Sequence, residues 1–333
     1  MMTSRLNPLP MTAVLLLLSP VLQGAAPKHK PQVEDYEHLW LATTLDAPGK
    51  PSFHLKVEFQ LYDRQGVPTT TGTVEEWWSP LAGARIAIDT PTLKLPSAND
   101  VDRPASRDEE LIYELLDTFV HPLPKLKNEK NYIFSQATRK AGSANLDCLF
   151  VQSAPHDLAS SYCSEPGSTN LRMILSPDAM RIVRNRPGTF RDSSVALDVR
   201  LAYGPNDSIS GKVTALQAID AASTIADVRP ETRIRLSVDS PPLETISGSK
   251  ASFSSELRGR VVSGCAKLVI LIGRDGRVQS LDTIYSADPA LTQALTTPQR
   301  DAKYKPYLLD GQPVDVIQTS SLCAETSQTT STF

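Results

Sequence analysis

From residue 53 the chain alternates apolar and polar positions with period two: Phe53, Leu55, Val57, Phe59 and Leu61 against His54, Lys56, Glu58 and Gln60. This is the pattern of a strand with one buried face. The stretch TGTVEEWWS (71–79) is predicted to pair with it across RQGVPTT as a hairpin. Further strands are predicted at 83–89, 145–152, 170–176, 180–185, 194–203, 209–219 and 231–239, after a polar, proline-containing lead-in at 27–35. One helix interrupts the series. SRDEELIYELLDTFV (106–120) opens on Ser106 as a candidate cap, with acidic residues in its first turn. Leu111, Leu115 and either Ile112 or Phe119 then share one face, suited to packing on a sheet, before Pro122 and Pro124 end the helix.

The pattern changes at DSPPLETISGSKASFSS (239–255), rich in Pro, Gly and Ser and poor in apolar residues. A linker at 241–253 is predicted there, dividing a β-rich domain (27–240) from a smaller one (254–323), with 324–333 as a frayed tail. Residues 265–272 are largely apolar on both faces, Lys267 apart, as in a central strand covered from both sides. Asp275-Gly276 gives a tight turn into RVQSLDTIY. Asp288 caps a helix with Pro289 at its first position, turning Leu291, Ala294 and Leu295 inward; Pro298 should kink or shorten it. PVDVIQTSSL supplies a last strand.

Composition narrows the function classes. There are 26 prolines against 16 glycines, which disfavours long helices. A formal net charge of -3 argues against a nucleic-acid partner. Residues 1–26 read as a signal peptide: Arg5, an apolar run over 9–22 cored by 14–18, then Gln23-Gly24-Ala25-Ala26. The run falls short of the roughly 20 residues of a membrane span, so the mature chain is expected without a transmembrane helix, periplasmic or secreted. The four cysteines, Cys148, Cys163, Cys265 and Cys323, would form two disulfides there. Three pairings are possible; 148–163 with 265–323 is favoured because each pair then lies within one domain.

Gly264, Asp275-Gly276-Arg277-Val278, Tyr304-Lys305-Pro306 and Asp310-Gly311-Gln312-Pro313-Val314 stand in an order that resembles the C-terminal domain of TonB-type energy transducers, over about residues 254–323. The family's tryptophan before the aromatic-x-Pro is replaced here by Ala302. The resemblance implies a small ββαβ domain. It also implies recognition of an envelope protein or receptor peptide by pairing with the edge of the last strand: Val314, Val316, Ile317, Gln318, Thr319 and Ser320. With strands in the order second–first–third, Cys265 and Cys323 would meet at neighbouring strand ends.

The stretch 45–80 faintly resembles the opening of LolA/LolB-type periplasmic carriers, curved antiparallel sheets with helices over a hydrophobic cavity that takes lipid chains. Phe53, Phe59, Trp77 and Trp78 would line such a cavity, and lipid would be the ligand. The expected fold class is α+β: a curved antiparallel sheet with one or two helices, plus the ββαβ domain. The leading expectation for function is a non-enzymatic exported protein that binds peptide or protein by strand pairing in envelope transport. The alternative is a lipid or lipoprotein carrier working through its N-terminal β-domain.

No catalytic motif is present. The histidines His29, His38, His54, His121 and His156 are scattered, His156-Asp157 lacks a companion nucleophile motif, and no phosphate- or dinucleotide-binding loop occurs. Neither a cofactor nor a metal is expected.

Overall fold

The computed structural model describes residues 30–91, 94–95, 105–127, 131–155, 158–220, 234–236, 243–248, 263–309 and 311–325. The signal-peptide segment 1–26, the pair His156-Asp157, Asp310, most of the linker and nearly all of the 324–333 tail lie outside them.

After helix α1 (Val33–Thr43), strands β1 (Phe53–Tyr62), β2 (Pro68–Ser79), β3 (Gly83–Asp89) and β4 (Lys94–Leu95) form a meander. Helix α2 (Arg107–Val120) then leads to a second meander: β5 (Ile133–Ala141), β6 (Ala144–Gln152), β7 (Ser160–Ser164), β8 (Leu171–Leu175), β9 (Met180–Phe190), β10 (Ser193–Tyr203) and β11 (Asn206–Ala218). β11 returns to pair with β1, which joins the two meanders into one antiparallel sheet of eleven strands, ordered β4-β3-β2-β1-β11-β10-β9-β8-β7-β6-β5. α2 is therefore the connection between the two edges of this sheet, and it packs across β10, β11 and β1.

Two glycines let it do so. Phe59 is paired with Gly72 on one side and Gly211 on the other. A Cβ at Gly72 would sit 2.5 Å from the Asp89 carbonyl oxygen, and one at Gly211 would sit 2.7 Å from Leu115 Cδ2. The missing side chains make room for the Phe59 ring and for the Leu115 knob of α2. Ser106 caps α2 by accepting from the Glu109 amide, and Asp108, Glu109 and Glu110 fill its first turn.

Two-stranded pieces and a second sheet follow. β12 (Ile234–Arg235), β14 (Ser263–Ile272), β15 (Val278–Ser286) and β19 (Val316–Glu325) form a four-stranded sheet ordered β12-β19-β14-β15. β13 (Thr245–Ser247) pairs with β16 (Lys303–Tyr304), and β17 (Leu308–Leu309) with β18 (Gln312–Pro313). Helix α3 (Pro289–Arg300) follows β15, with Asp288 accepting from the Ala290 amide at its start. Pro298 lies inside the helix, two residues before its end at Arg300.

The alternation along β14 separates two cores. Ala266, Leu268, Ile270 and Ile272 pack with Leu291 and Leu295 of α3. Val269 and Leu271 join Ile284 and Ile317 in the large cluster that also holds Phe53, Leu115 and Val199. That large core thus runs across the predicted linker, and both sides of it belong to one compact unit. α2 lies between the two sheets, which explains why ten of its residues are buried and not a single stripe.

The α+β expectation is corrected by this arrangement. The described residues hold only three helices against an eleven-stranded antiparallel sheet, so the chain is β-rich. The lead-in at 27–35 is corrected in part, because α1 begins at Val33. Among the described residues no helix is long and apolar enough to cross a membrane.

Candidate functional site

The large sheet presents one face to the helices. Along β1 the residues Phe53, Leu55, Val57, Phe59 and Leu61 point inward, continued by Val74 on β2, Ile88 on β3 and Val199 and Leu201 on β10. The lid over this apolar face is α1 and α2. α1 contributes Tyr36, Leu39 and the half-buried Trp40; the Tyr36 hydroxyl donates to the Pro124 carbonyl (2.6 Å), and its ring meets Tyr162 edge-on at 5.4 Å. The outer side of α1 exposes Val33 and Leu41.

Two ionisable groups sit on the apolar face. Arg184 of β9 is in phase with the buried Ile182 and only 2% exposed. Its Nη1 donates to the Thr118 carbonyl in the last turn of α2, and its Nε has no hydrogen-bond partner among the described residues. Burial alone pulls its pKa down to about 9. Glu76 of β2 is the second, buried between Val74 and the half-buried Trp78, and burial pushes its carboxyl up to about 8. It faces a rim made by His121, Asp46 and Asp117, with His121 Nδ1 3.6 Å from Asp46 and Nε2 3.4 Å from Asp117. Burial opposes the His121 charge, but Asp117, Asp46 and Glu76 outweigh it and raise its pKa to about 9.

These shifts fix a sign for pH dependence. Folding favours protonated Glu76, so its contribution is complete below the unfolded value of 4.5 and is lost as pH rises to about 8. His121 acts in the same direction, losing its contribution between 6.5 and about 9. Thermal melts of Glu76→Gln should therefore fall less than wild type across about pH 4.5 to 8, by an amount on the order of a few kcal/mol. Parallel pH curves for the two proteins would refute the assignment.

The residues predicted to line a cavity separate. Phe53 and Phe59 are core, and Trp78 stacks on Phe53 at 5.7 Å. Trp77, next along the strand, points to the opposite face and stacks on His54 at 4.6 Å. Adjacent strand residues cannot share a face, so Trp77 leaves the set. The predicted partner-binding strand also changes. Val314 precedes β19, its amide donating to the Tyr307 carbonyl. Val316 and Ile317 are buried and take β12 as a parallel neighbour opposite β14. Gln318, Thr319 and Ser320 pair with Ile270, Val269 and Leu268 of β14. The chain itself thus occupies the start of the edge that was expected to receive a peptide. Cys148–Cys163 and Cys265–Cys323 are bonded, each joining directly opposed strand residues.

Across β1, β11 and β10 the outer face of the large sheet is polar. Glu58, Lys212 and Asp198 stand side by side across β1, β11 and β10, with Gln60, Ser210 and Arg200 in the next row. They border an open cleft of about 530 Å³. Opposite charges thus alternate across neighbouring strands.

No protein-family model matches the chain, the TonB-like pattern included, and no curated protein matches it. Solved structures give distant likenesses. A putative outer membrane lipoprotein-sorting protein domain from Vibrio parahaemolyticus aligns at a TM-score of 0.37 and 10% identity, covering 58% of this chain and 94% of that one. A DUF1329 family protein from Desulfovibrio piger aligns at 0.37 and 8%, covering 60% and 98%. A LolA superfamily protein from Nitrosomonas europaea aligns at 0.31 and 6%, covering 55% and 93%.

Neither buried ionisable group was read from the sequence as functional. The signal for Arg184 was its phase: it follows Ile182 by two within a strand. Within MRIVRNRPGTF, however, two other arginines, Arg181 and Arg186, flank it, so residue type alone did not set it apart.

Proposed function

We propose that this protein is a non-enzymatic exported carrier that holds the acyl chains of a lipid or lipoprotein between its large sheet and helical lid. One observation carries the reading: an apolar inner face spread over many strands of a single sheet is covered first by helices α1 and α2, with the C-terminal sheet closing behind α2. Helices that pack by side-chain stripes can lift from a sheet without breaking any ladder of backbone hydrogen bonds, whereas sheet-on-sheet closure by continued strands cannot. α1 is the element suited to move. It rests on the sheet through a short stripe, and α2 behind it is clamped by the C-terminal sheet. The two disulfides fit an oxidising compartment.

Strand-pairing recognition by the C-terminal module is set aside, because β12 already occupies the start of β19. The test uses the full exported chain. Organic extraction followed by mass spectrometry should release an acyl lipid, and the delipidated protein should bind a fluorescent acyl probe at about one per chain. A protein that is empty on isolation and leaves the probe in solution would end the carrier reading.

A further inference from the structure

We propose that Arg184 is the anion-binding residue of the carrier's interior, receiving the acidic head, carboxylate or phosphate, of an amphiphilic ligand. This inference rests on the carrier reading above and specifies its ligand class. A guanidinium almost never sits in a protein core without an anionic partner, because desolvating the charge is costly. Arg184 is 2% exposed, yet its one hydrogen bond is to a neutral carbonyl, that of Thr118, and its Nε is unpartnered among the described residues. Burial is the only influence on its charge, and the acids of α2 and of the β7–β8 turn are engaged elsewhere. Glu165 is held by Arg172 and Asn170, Glu114 by Lys267 and Tyr203, and Asp117 lies beside His121.

The bland alternative is that Arg184 caps α2, which has no basic residue in its own last turn. A neutral donor would satisfy that carbonyl without stranding a full charge. The position also fits a ligand. Arg184 faces the same way as Ile182 and pairs across to Val199, so its fork opens among residues that could lie along an acyl chain. Lifting the last turn of α2 would free Nη1 from the Thr118 carbonyl and open the guanidinium, whose Nε and Nη2 edge suits a bidentate acid group.

The experiment is calorimetric titration of the delipidated full chain with oleate, oleyl alcohol, dodecyl phosphate and inorganic phosphate, in wild type, Arg184→Lys and Arg184→Met. Wild type should bind oleate or dodecyl phosphate about ten- to a hundred-fold more tightly than oleyl alcohol. Arg184→Met should bind acid and alcohol alike while unfolding at the same or a higher temperature, since a stranded charge has been removed. Arg184→Lys should keep part of the preference. Equal binding of acid and alcohol by wild type overturns the inference but leaves the carrier reading standing. Binding of none of the chain-bearing probes overturns both. Inorganic phosphate bound as tightly as dodecyl phosphate overturns the headgroup assignment. An Arg184→Met protein that unfolds earlier and keeps the acid preference marks Arg184 as only a helix cap.

Discussion

Replacing Lys267 with methionine is expected to remove about 3–5 kcal/mol of stability, as breaking a buried ion pair from one side does. Lys267 stands on the inner face of β14 and is 8% exposed. Its Nζ lies 2.6 Å from Glu114 of α2, 3.3 Å from Asp178 and 2.5 Å from the Tyr203 hydroxyl of β10, which itself donates to Glu114 at 2.8 Å. Burial works against the ammonium, but Glu114, Tyr203 and Asp178 outweigh it and hold its pKa well above the usual lysine range. One side chain from the small sheet thus neutralises acids from the helix and from the large sheet. Methionine keeps the volume but leaves those carboxylates buried without a cation. Urea unfolding of Lys267→Met, Glu114→Leu and the double variant measures this. The double variant should recover part of the loss, because only Asp178 is then left without its cation. A loss below about 1 kcal/mol in Lys267→Met would show the cluster to be solvated in solution, like a surface pair.

That cluster also constrains the lid. With Arg235 beside Glu109 and Glu110 and over the Tyr113 ring, and the Arg107 amide donating to Asp282, the C-terminal sheet grips α2 near its start and middle. The end of α2 near Thr118 lies outside that grip and is held by Arg184, by the Leu45 amide on the Val120 carbonyl and by Asp46 beside His121. On the proposed carrier reading, lid movement would concentrate in α1 and the last turn of α2, close to the buried guanidinium.

Local rules made part of this legible from sequence. Period-two alternation identified β1 and the paired strand β2, Ser106 and the acids after it marked the start of α2, and Asp288-Pro289 marked the start of α3. Apolar residues on both faces of 265–272 announced a strand covered twice, and β14 is that strand. What failed were readings that needed tertiary partners. α1 turns only Tyr36, Leu39 and Thr43 fully inward over three turns, too short a stripe to stand out beside Pro31. The second buried face of α2 depends on a sheet more than a hundred residues away, and an amphipathic reading could supply only one face. The edge of β19 looked open because β12 is just two residues long and its stretch, the predicted strand 231–239, was assigned to the N-terminal sheet. Trp77 and Trp78 were grouped by type although strand geometry separates neighbours.

The second large effect expected is at Cys265–Cys323. Replacing both residues by alanine should cost about 4 kcal/mol, against about 3 kcal/mol for the same change at Cys148–Cys163, because the closed loops span 58 and 15 residues. The longer loop contains almost all of the C-terminal layer: β15, α3 and the two small hairpin pieces lie between its cysteines. Cutting it therefore returns that whole layer's freedom to the unfolded chain. Native contacts add to the asymmetry. Cys265 Sγ lies 3.3 Å from the Pro177 carbonyl oxygen, next to the turn that brings Asp178 to Lys267. The shorter bridge instead sits in a small cluster with Leu146 and Met173 on the outer side of the sheet. Urea unfolding of the two double-alanine variants orders the effects. If removing Cys148–Cys163 costs more, local packing around that cluster outweighs loop entropy, and the C-terminal layer is held by its charge contacts with α2 more than by its covalent tie.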